Sequence, residues 1–131
     1  MTSGCPEAEA SILHDHVQLT ATEIGAFFEH LMLALCEENA PLVERCWIDF
    51  EASVLAHFDA EEKILFPELL AKGNRAVRVF IEEHRHLRAK LAELRHAANL
   101  QILRIHAVRA FVDSLNAHAR HEERILNQAG I

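Results

Sequence analysis

Residues 56–65 read AHFDAEEKIL, and residues 117–126 repeat this stretch as AHARHEERIL. Six positions are identical, and in both copies a histidine precedes a glutamate by four residues. The two pairs are His57 with Glu61 and His118 with Glu122. On an α-helix, residues four apart lie about 40° apart around the axis and about 6 Å apart along it. Each pair therefore presents an imidazole and a carboxylate on one helix face, where both can bind a metal ion between helices.

The similarity extends upstream of both copies. Residues 13–19, LHDHVQL, align with residues 81–87, IEEHRHL, and the alignment matches His16 with His84. The chain thus divides into half-repeats of about residues 11–73 and 74–131, each with an early histidine and a later His-x-x-x-Glu. Such self-similarity predicts two helical hairpins related by a pseudo-two-fold axis.

Length and composition predict a single helical domain over residues 1–131. The chain has 131 residues, half of them apolar and a quarter charged, with only four glycines and three prolines. That length suits one core, and scarce turn residues favour long helices. The net charge of −7 argues against a nucleic-acid partner. We see no leader peptide and no apolar run of membrane-spanning length, and three cysteines without C-x-x-C spacing favour a reducing cytoplasm.

Four helices are predicted, at about residues 11–37, from Pro41 to about 72, at 75–98 and at 101–127. Pro67 should disturb the second helix, and Gly73 with Asn74 should end it. Short turns between the helices predict an all-α fold, an up-down-up-down antiparallel four-helix bundle.

Apolar residues spaced three and four apart predict the buried face of each helix. In the second helix, the residues on this face, including two polar ones, are Val43, Trp47, Phe50, Val54, His57, Glu61 and Ile64. The third offers Val77, Phe80, His84, Leu87, Leu91 and Leu94, and the fourth offers Ala107, Phe111, Leu115, His118, Glu122 and Ile125. In an antiparallel bundle the polar members of these faces meet His16 near one end of the core.

Six converging residues therefore form the candidate site: His16, His57, Glu61, His84, His118 and Glu122. A single such histidine could be an ordinary core residue satisfied by a hydrogen bond. Burying all six polar side chains without strong partners would cost several kcal/mol for each of them, roughly the usual penalty for unpaired polar groups. A cluster of mutual salt bridges is one alternative, and metal binding is the favoured one. The absence of thiolates, with imidazole and carboxylate mixed, favours two iron ions, with manganese or zinc as substitutes.

At these residues the chain resembles the hemerythrin-like, or HHE cation-binding, domain family. The resemblance rests on His16, on His57-x-x-x-Glu61, on His84 and on His118-x-x-x-Glu122, with the flanking phrases HFDAEEKILFPEL and EEHRHLR. It implies a four-helix bundle that holds a non-haem di-iron centre with a bridging oxygen. Glu61 and Glu122 would bridge the ions. The ligand implied is dioxygen or nitric oxide.

Two departures from the oxygen-carrying members affect the expected function. The carriers have His-x-x-x-His in the third helix, where this chain has Arg88 four residues after His84, and His-x-x-x-x-Asp in the fourth. Four histidines would leave each iron with an open position, which puts simple oxygen carriage in doubt. Three functions stay open: ligand binding or sensing; a redox enzyme or iron-donating repair factor; and a non-redox, metal-stabilised module that binds a protein partner.

Several further residues could lie close to the candidate site, and two cysteines close to each other. His121 could supply a fifth histidine ligand, although a position on the flank of the site is favoured. Glu23 could be a nearby acid, although an exposed bundle edge is favoured. Glu62 and Glu123 should point about 100° away from the ligand glutamates and be solvated. Cys36 and Cys46 could face each other as a redox pair, although reduced thiols are favoured.

Overall fold

The computed structural model describes residues 22–130, and these residues form helices with no strand among them. Helix α1 covers residues 22–36 of the described chain. Helix α2 is Ala40–Ala60, a π-helical turn follows at Glu61–Leu65, and α3 is Phe66–Ala71. Helices α4 and α5 are Ala76–Asn99 and Ile105–Gln128. The expected start of the first helix lies outside the described residues, while the other helices confirm an all-helical fold.

Local sequence explains where these helices begin and end. The Asn39 side chain accepts a hydrogen bond from the Leu42 backbone N–H at 3.2 Å, which caps α2 just before Pro41. Gly73 has φ +75°, the left-handed conformation that ends a helix and favours glycine. Helix α5 begins at Ile105, four residues later than predicted, because Gln101 adopts φ +60° and Arg104 is extended.

The π-helical turn corrects the predicted buried face of the second helix. Ile64, expected in the core, is 59% exposed, and Leu65 is buried in its place. The Phe66 backbone N–H donates to the Glu61 carbonyl five residues back, so one extra residue fits into the turn. Pro67 follows directly. Because proline lacks an N–H and clashes with the carbonyl four residues before it, the wider turn relieves that clash.

Two apolar clusters form the interior of residues 22–130. The main cluster draws buried side chains from α1, α2, α4 and α5, with Trp47, Phe50 and Phe111 in ring contact near its centre. A smaller group, which we call the cap cluster, consists of Leu65, Phe66, Leu69, Val77, Phe80 and Leu126. It combines α3 and the π-helical turn with the beginning of α4 and the end of α5. Within residues 22–130, no helix combines the length and apolar character that a membrane crossing needs.

Candidate metal centre

A layer of buried polar side chains lies between the main cluster and the cap cluster. Its described members are His57, Glu61, His84, His118 and Glu122, each at most 6% exposed. Along the chain these residues stand between side chains of the two clusters: Val54 and Leu65, Phe80 and Leu87, Leu115 and Leu126. The helical spacing that buries the apolar residues therefore also buries these imidazoles and carboxylates.

Four of these residues bring one donor atom each to a common point. The donor atoms of Glu61, His84, His118 and Glu122 all lie within 4.8 Å of one another. Nε2 of His84 is 3.1 Å from Glu61 Oε1 and 3.6 Å from Glu122 Oε2. Nε2 of His118 is 3.1 Å from Glu122 Oε2 and 3.0 Å from Nε2 of His84. Four donors from three helical segments thus face a single small volume.

His57 approaches the same carboxylate from another side. Its Nε2 is 3.3 Å from Glu61 Oε2, whereas His84 contacts Oε1. Each oxygen of Glu61 therefore faces a different imidazole. The predicted sixth member, His16, lies outside the described residues.

Outer carboxylates determine which nitrogen of each ring is free to bind a metal. Nδ1 of His84 lies 2.7 Å from Glu62 Oε2, and Nδ1 of His118 lies 2.5 Å from Glu83 Oε1. An ionised carboxylate only accepts hydrogen bonds, so both Nδ1 atoms carry the proton and donate it. In the neutral ring Nε2 then holds a lone pair. When both rings are neutral, the two Nε2 atoms direct lone pairs at each other and at the glutamates, whereas a proton on Nε2 of His84 would be donated to Glu61.

The charges of the two central glutamates are unbalanced without a cation. Burial alone would raise the pKa of Glu61, but contacts with His57 and His84 lower it overall. Burial and the neighbouring Glu61 carboxylate raise the pKa of Glu122. Burial likewise lowers the pKa of His118, which keeps that imidazole neutral, although Glu83 opposes this shift. A cation placed among these groups would let both carboxylates ionise with the imidazoles neutral, the state that metal ligands need.

Unpartnered oxygens provide the test of whether this donor set fits a metal. Among the described residues, Oε2 of Glu61 and both carboxylate oxygens of Glu122 are buried without an aligned hydrogen bond, although Nε2 of His57 lies 3.3 Å from the first and Nε2 of His118 lies 3.1 Å from Oε2 of Glu122. Buried polar atoms nearly always have a partner, because leaving one unpaired costs about 1–3 kcal/mol. Metal coordination satisfies carboxylate oxygens and imidazole lone pairs together. The residues present therefore fit a bound metal ion.

Glu62 contacts a histidine of the site, although the sequence predicted that this side chain would be solvated. Glu62 accepts hydrogen bonds from His84 and from both terminal nitrogens of Arg88, at 2.7 and 3.2 Å. Burial would raise the pKa of Glu62, but these two donors lower it. The repeat carried a signal, since a second glutamate follows the first in both copies. Glu83 was likewise missed, and it immediately precedes His84.

The other candidates lie outside the donor group. His121 contacts Glu83 at 3.2 Å through Nδ1 and packs against Phe80, so it occupies the expected flank position. Glu23 is exposed and accepts a hydrogen bond from the Ser53 hydroxyl at 3.1 Å. Cys36 and Cys46 are free thiols.

Three comparisons with known proteins were informative to different degrees, and one of them identifies a family. Neither the curated proteins nor the solved structures compared with the chain gave a match. The sequence does match the hemerythrin HHE cation binding domain over residues 12–129, nearly its whole length. With the buried histidine and glutamate group able to hold a metal, the chain belongs to the hemerythrin HHE cation-binding domain family as a metal-binding, hemerythrin-like protein.

Proposed function

We propose that the chain holds two iron ions at a carboxylate-bridged centre and binds dioxygen or nitric oxide there. His84 and His118 would bind one ion, and His57 and His16 the other. Glu61 and Glu122 would be shared by both ions. The observation that carries this proposal is the buried polar layer, in which ring nitrogens face each other at 3.0 Å beside unpartnered carboxylate oxygens.

The chemistry of the donors favours iron. Mixed imidazole and carboxylate ligands without thiolate suit iron, whereas calcium and magnesium prefer oxygen ligands alone. Iron would supply the reversible electron transfer that dioxygen and nitric oxide chemistry needs. The residues of the chain would orient the ions, neutralise their charge and keep bulk water away, since His84 and Glu122 are fully buried.

We also infer that the helices run up-down-up-down and that the two half-repeats are related by a pseudo-two-fold axis. Support comes from the cap cluster, which takes residues after the site on α2, before the site on α4 and after it on α5. This order is expected when α4 runs opposite to α2 and α5. The equivalent contacts of His57 with Glu61 at 3.3 Å and of His118 with Glu122 at 3.1 Å support a repeated arrangement of the site.

A redox enzyme is the second candidate, and Arg88 favours it. Arg88 stands where oxygen carriers have a further histidine ligand, and its guanidinium is hydrogen-bonded to Glu62 and Asp59. It therefore supplies no ligand to the centre. An ion with fewer protein ligands keeps an open position at which a bound molecule can react.

Metal analysis tests the proposed composition. After anaerobic loading with Fe²⁺ and removal of excess metal, we expect two iron ions per chain, retained against equal concentrations of Mn²⁺. Less than one iron per chain would overturn the proposal. Preferential retention of Zn²⁺ from a mixture with Fe²⁺ would instead indicate a non-redox, metal-stabilised module.

Mixing the reduced, iron-loaded protein with dioxygen separates binding from catalysis. A visible absorption band that disappears when dioxygen is removed would support ligand binding. Rapid, irreversible oxidation with dioxygen consumption would support the enzyme. An unchanged spectrum would contradict both, and the same titration with nitric oxide would identify a protein selective for that ligand.

A further inference from the structure

A chain of polar contacts leads from the surface to the buried ring of His84. Arg88 donates to Glu62, and Glu62 accepts the Nδ1 proton of His84 at 2.7 Å. The side chains of Arg88 and Glu62 are about one-third exposed, at 35% and 32%, whereas that of His84 is 1% exposed. The chain therefore joins a partly solvated guanidinium to a fully buried imidazole.

The guanidinium of Arg88 is fixed from several directions. Nη1 and Nη2 contact the two oxygens of Glu62 at 2.7 and 3.2 Å, the fork geometry of a strong arginine–carboxylate pair. Nη2 also donates to Asp59 at 3.1 Å, and the guanidinium carbon lies 5.6 Å from the centre of the Phe58 ring. These contacts anchor α4 to α2 and to the π-helical turn beside the site.

Ring packing alone does not determine which nitrogen of His84 faces the centre. The imidazole stacks on Phe58, with ring centroids 4.1 Å apart, and lies 5.1 Å from Phe66. Stacking fixes the plane of the ring but does not choose which nitrogen carries the proton. The hydrogen bond from Nδ1 to Glu62 makes that choice and directs Nε2 to the centre.

The hydrogen bonds that hold the outer side of the His118 ring are less extensive than those at His84. Its Nδ1 donates to Glu83, whose other oxygen contacts Nδ1 of His121 at 3.2 Å. His121 makes a single contact to that carboxylate, while Arg88 makes two to Glu62. The outer support of the centre is thus stronger on the His84 side.

We propose that Arg88 and Glu62 are positioning residues for the metal centre: Arg88 holds Glu62 in place, and Glu62 fixes the tautomer and orientation of His84. This inference rests on the proposed binding of metal ions by His84, and it holds whether or not the ions are iron or bind dioxygen. Neither residue contacts the metal. Removing an outer partner of a metal-binding histidine typically weakens metal binding about 10- to 100-fold.

The variants Glu62→Gln and Arg88→Lys test this inference, with Arg88→Ala as the stronger change. Co²⁺ is the probe, because its visible absorption reports ligand geometry and its affinity can be measured by competition with a chelator. We expect Glu62→Gln and Arg88→Ala to bind Co²⁺ about 10- to 100-fold more weakly, with an altered visible spectrum. Arg88→Lys keeps the charge but not the fork, so its affinity should lie between those of the wild type and Arg88→Ala.

Arg85 and Glu82 provide a matched control on the same helix. They form an exposed ion pair at 3.0 Å that does not touch the site. Arg85→Ala and Glu82→Gln should therefore leave Co²⁺ affinity and the spectrum unchanged. If Glu62→Gln behaves like these controls, the inference is wrong.

A second measurement separates this inference from the proposed metal centre. In the metal-free protein, ¹⁵N NMR of the histidine rings should show His84 protonated at Nδ1 in the wild type. Glu62→Gln should shift the ring towards a mixture of tautomers. A wild type that binds no Co²⁺ would overturn the proposed centre. A wild type that binds Co²⁺ while the His84 tautomer is the same in Glu62→Gln would overturn the positioning role alone.

Discussion

Glu61 and Glu122 lie together in the buried layer, yet their pKa values shift in opposite directions. Contacts with two imidazoles outweigh burial at Glu61, whereas burial and the neighbouring carboxylate raise the pKa of Glu122. Without a cation the pair therefore favours one negative charge over two. Metal ions would restore both charges, so each glutamate should matter to every ion that the site binds.

We expect Glu61→Ala and Glu122→Ala each to lower the binding of both metal ions. Each change removes a ligand that we propose the ions share, and it leaves the remaining carboxylate and imidazoles buried without their compensating charge. Breaking a buried charged group of this kind costs about 3–5 kcal/mol. Metal content per chain and thermal unfolding of each variant measure these effects.

Two histidine variants serve as comparisons for the two glutamate variants. His57→Ala should have a milder effect, because it removes a terminal ligand that a water molecule can replace. His96 is exposed, so His96→Ala should alter neither metal content nor melting temperature. Two metals and wild-type stability in both glutamate variants would contradict a shared-ligand centre. A loss in only one of them would show that the half-repeats are unequal.

Cys46 should react more slowly with thiol reagents than Cys36. Burial, with a contribution from Asp49, raises the pKa of Cys46, and Cys36 is exposed. Since the thiolate is the reactive form, the alkylation rate of Cys46 should rise at a higher pH than that of an ordinary thiol. Single-cysteine proteins with the other cysteines changed to serine allow the rate to be followed against pH. Asp49→Asn should move the Cys46 profile to lower pH, and an unmoved profile would exclude that contribution.

At the scale of the helices, the π-helical turn accounts for two errors of sequence-based prediction. Regular α-helical spacing placed Ile64 in the core and turned Glu62 towards solvent. The extra residue in Glu61–Leu65 instead buries Leu65 and is accompanied by contacts from Glu62 to His84 and Arg88. Pro67 indicated a disturbance, but a proline alone does not specify a π-helical turn.

Shortening the π-helical turn should separate its structural role from its role at the site. Deleting Ile64, which is 59% exposed, would return the turn to α-helical spacing and keep the downstream residues in phase. It would also restore the clash of Pro67, at a cost of about 3 kcal/mol. We therefore expect the deletion combined with Pro67→Ala to recover stability but to bind Co²⁺ about tenfold more weakly, because Glu62 turns away from His84.

The full-length double variant Ile64→Ala with Pro67→Ala is the matched control for the deletion. It removes the same side chains while keeping the residue count of the turn. Its Co²⁺ affinity should stay close to that of the wild type. Equal affinities for the deletion and this control would mean that the π-helical turn does not position Glu62.

Helix α4 shows when sequence periodicity is sufficient to predict the buried face of a helix. All six residues predicted to face the core there, from Val77 to Leu94, are buried, because no bulge or proline interrupts the helix. The same reasoning brought together His57, Glu61, His84, His118 and Glu122. It did not find Glu83 or Glu62, because their partners lie on other helices. Such contacts depend on how helices are rotated against each other, which spacing within one helix does not determine.

At the scale of the whole molecule, the polar layer divides the interior unequally. Among residues 22–130, the main cluster contains seventeen buried hydrophobic residues, including Trp47 and Phe50 with their aromatic contacts, whereas the cap cluster contains six. The carboxylates and imidazoles between them interrupt the apolar packing that would otherwise join the two clusters. We propose that bound metal ions replace this missing cohesion by joining α2, α4 and α5 at the level of the layer.

Removing the metal should therefore loosen the cap cluster before the main cluster. With unpartnered carboxylate oxygens beside it, the small cap loses the ions that hold its three contributing segments together. We expect backbone amides of residues 62–82 to exchange hydrogen faster after chelation of the iron-loaded protein, while those of residues 43–54 stay protected. Hydrogen–deuterium exchange followed by mass spectrometry, with and without the chelator, measures both segments in one experiment.

The Glu122→Ala variant shows whether faster exchange comes from losing the metal or from the chelator itself. Because this variant should already lack its ions, its cap should exchange rapidly from the start, and the chelator should add no further change. If chelation instead speeds exchange equally in residues 43–54 and 62–82 of the wild type, the two clusters unfold as one unit. The layer would then be a shared part of a single core, and the metal would stabilise every helix alike.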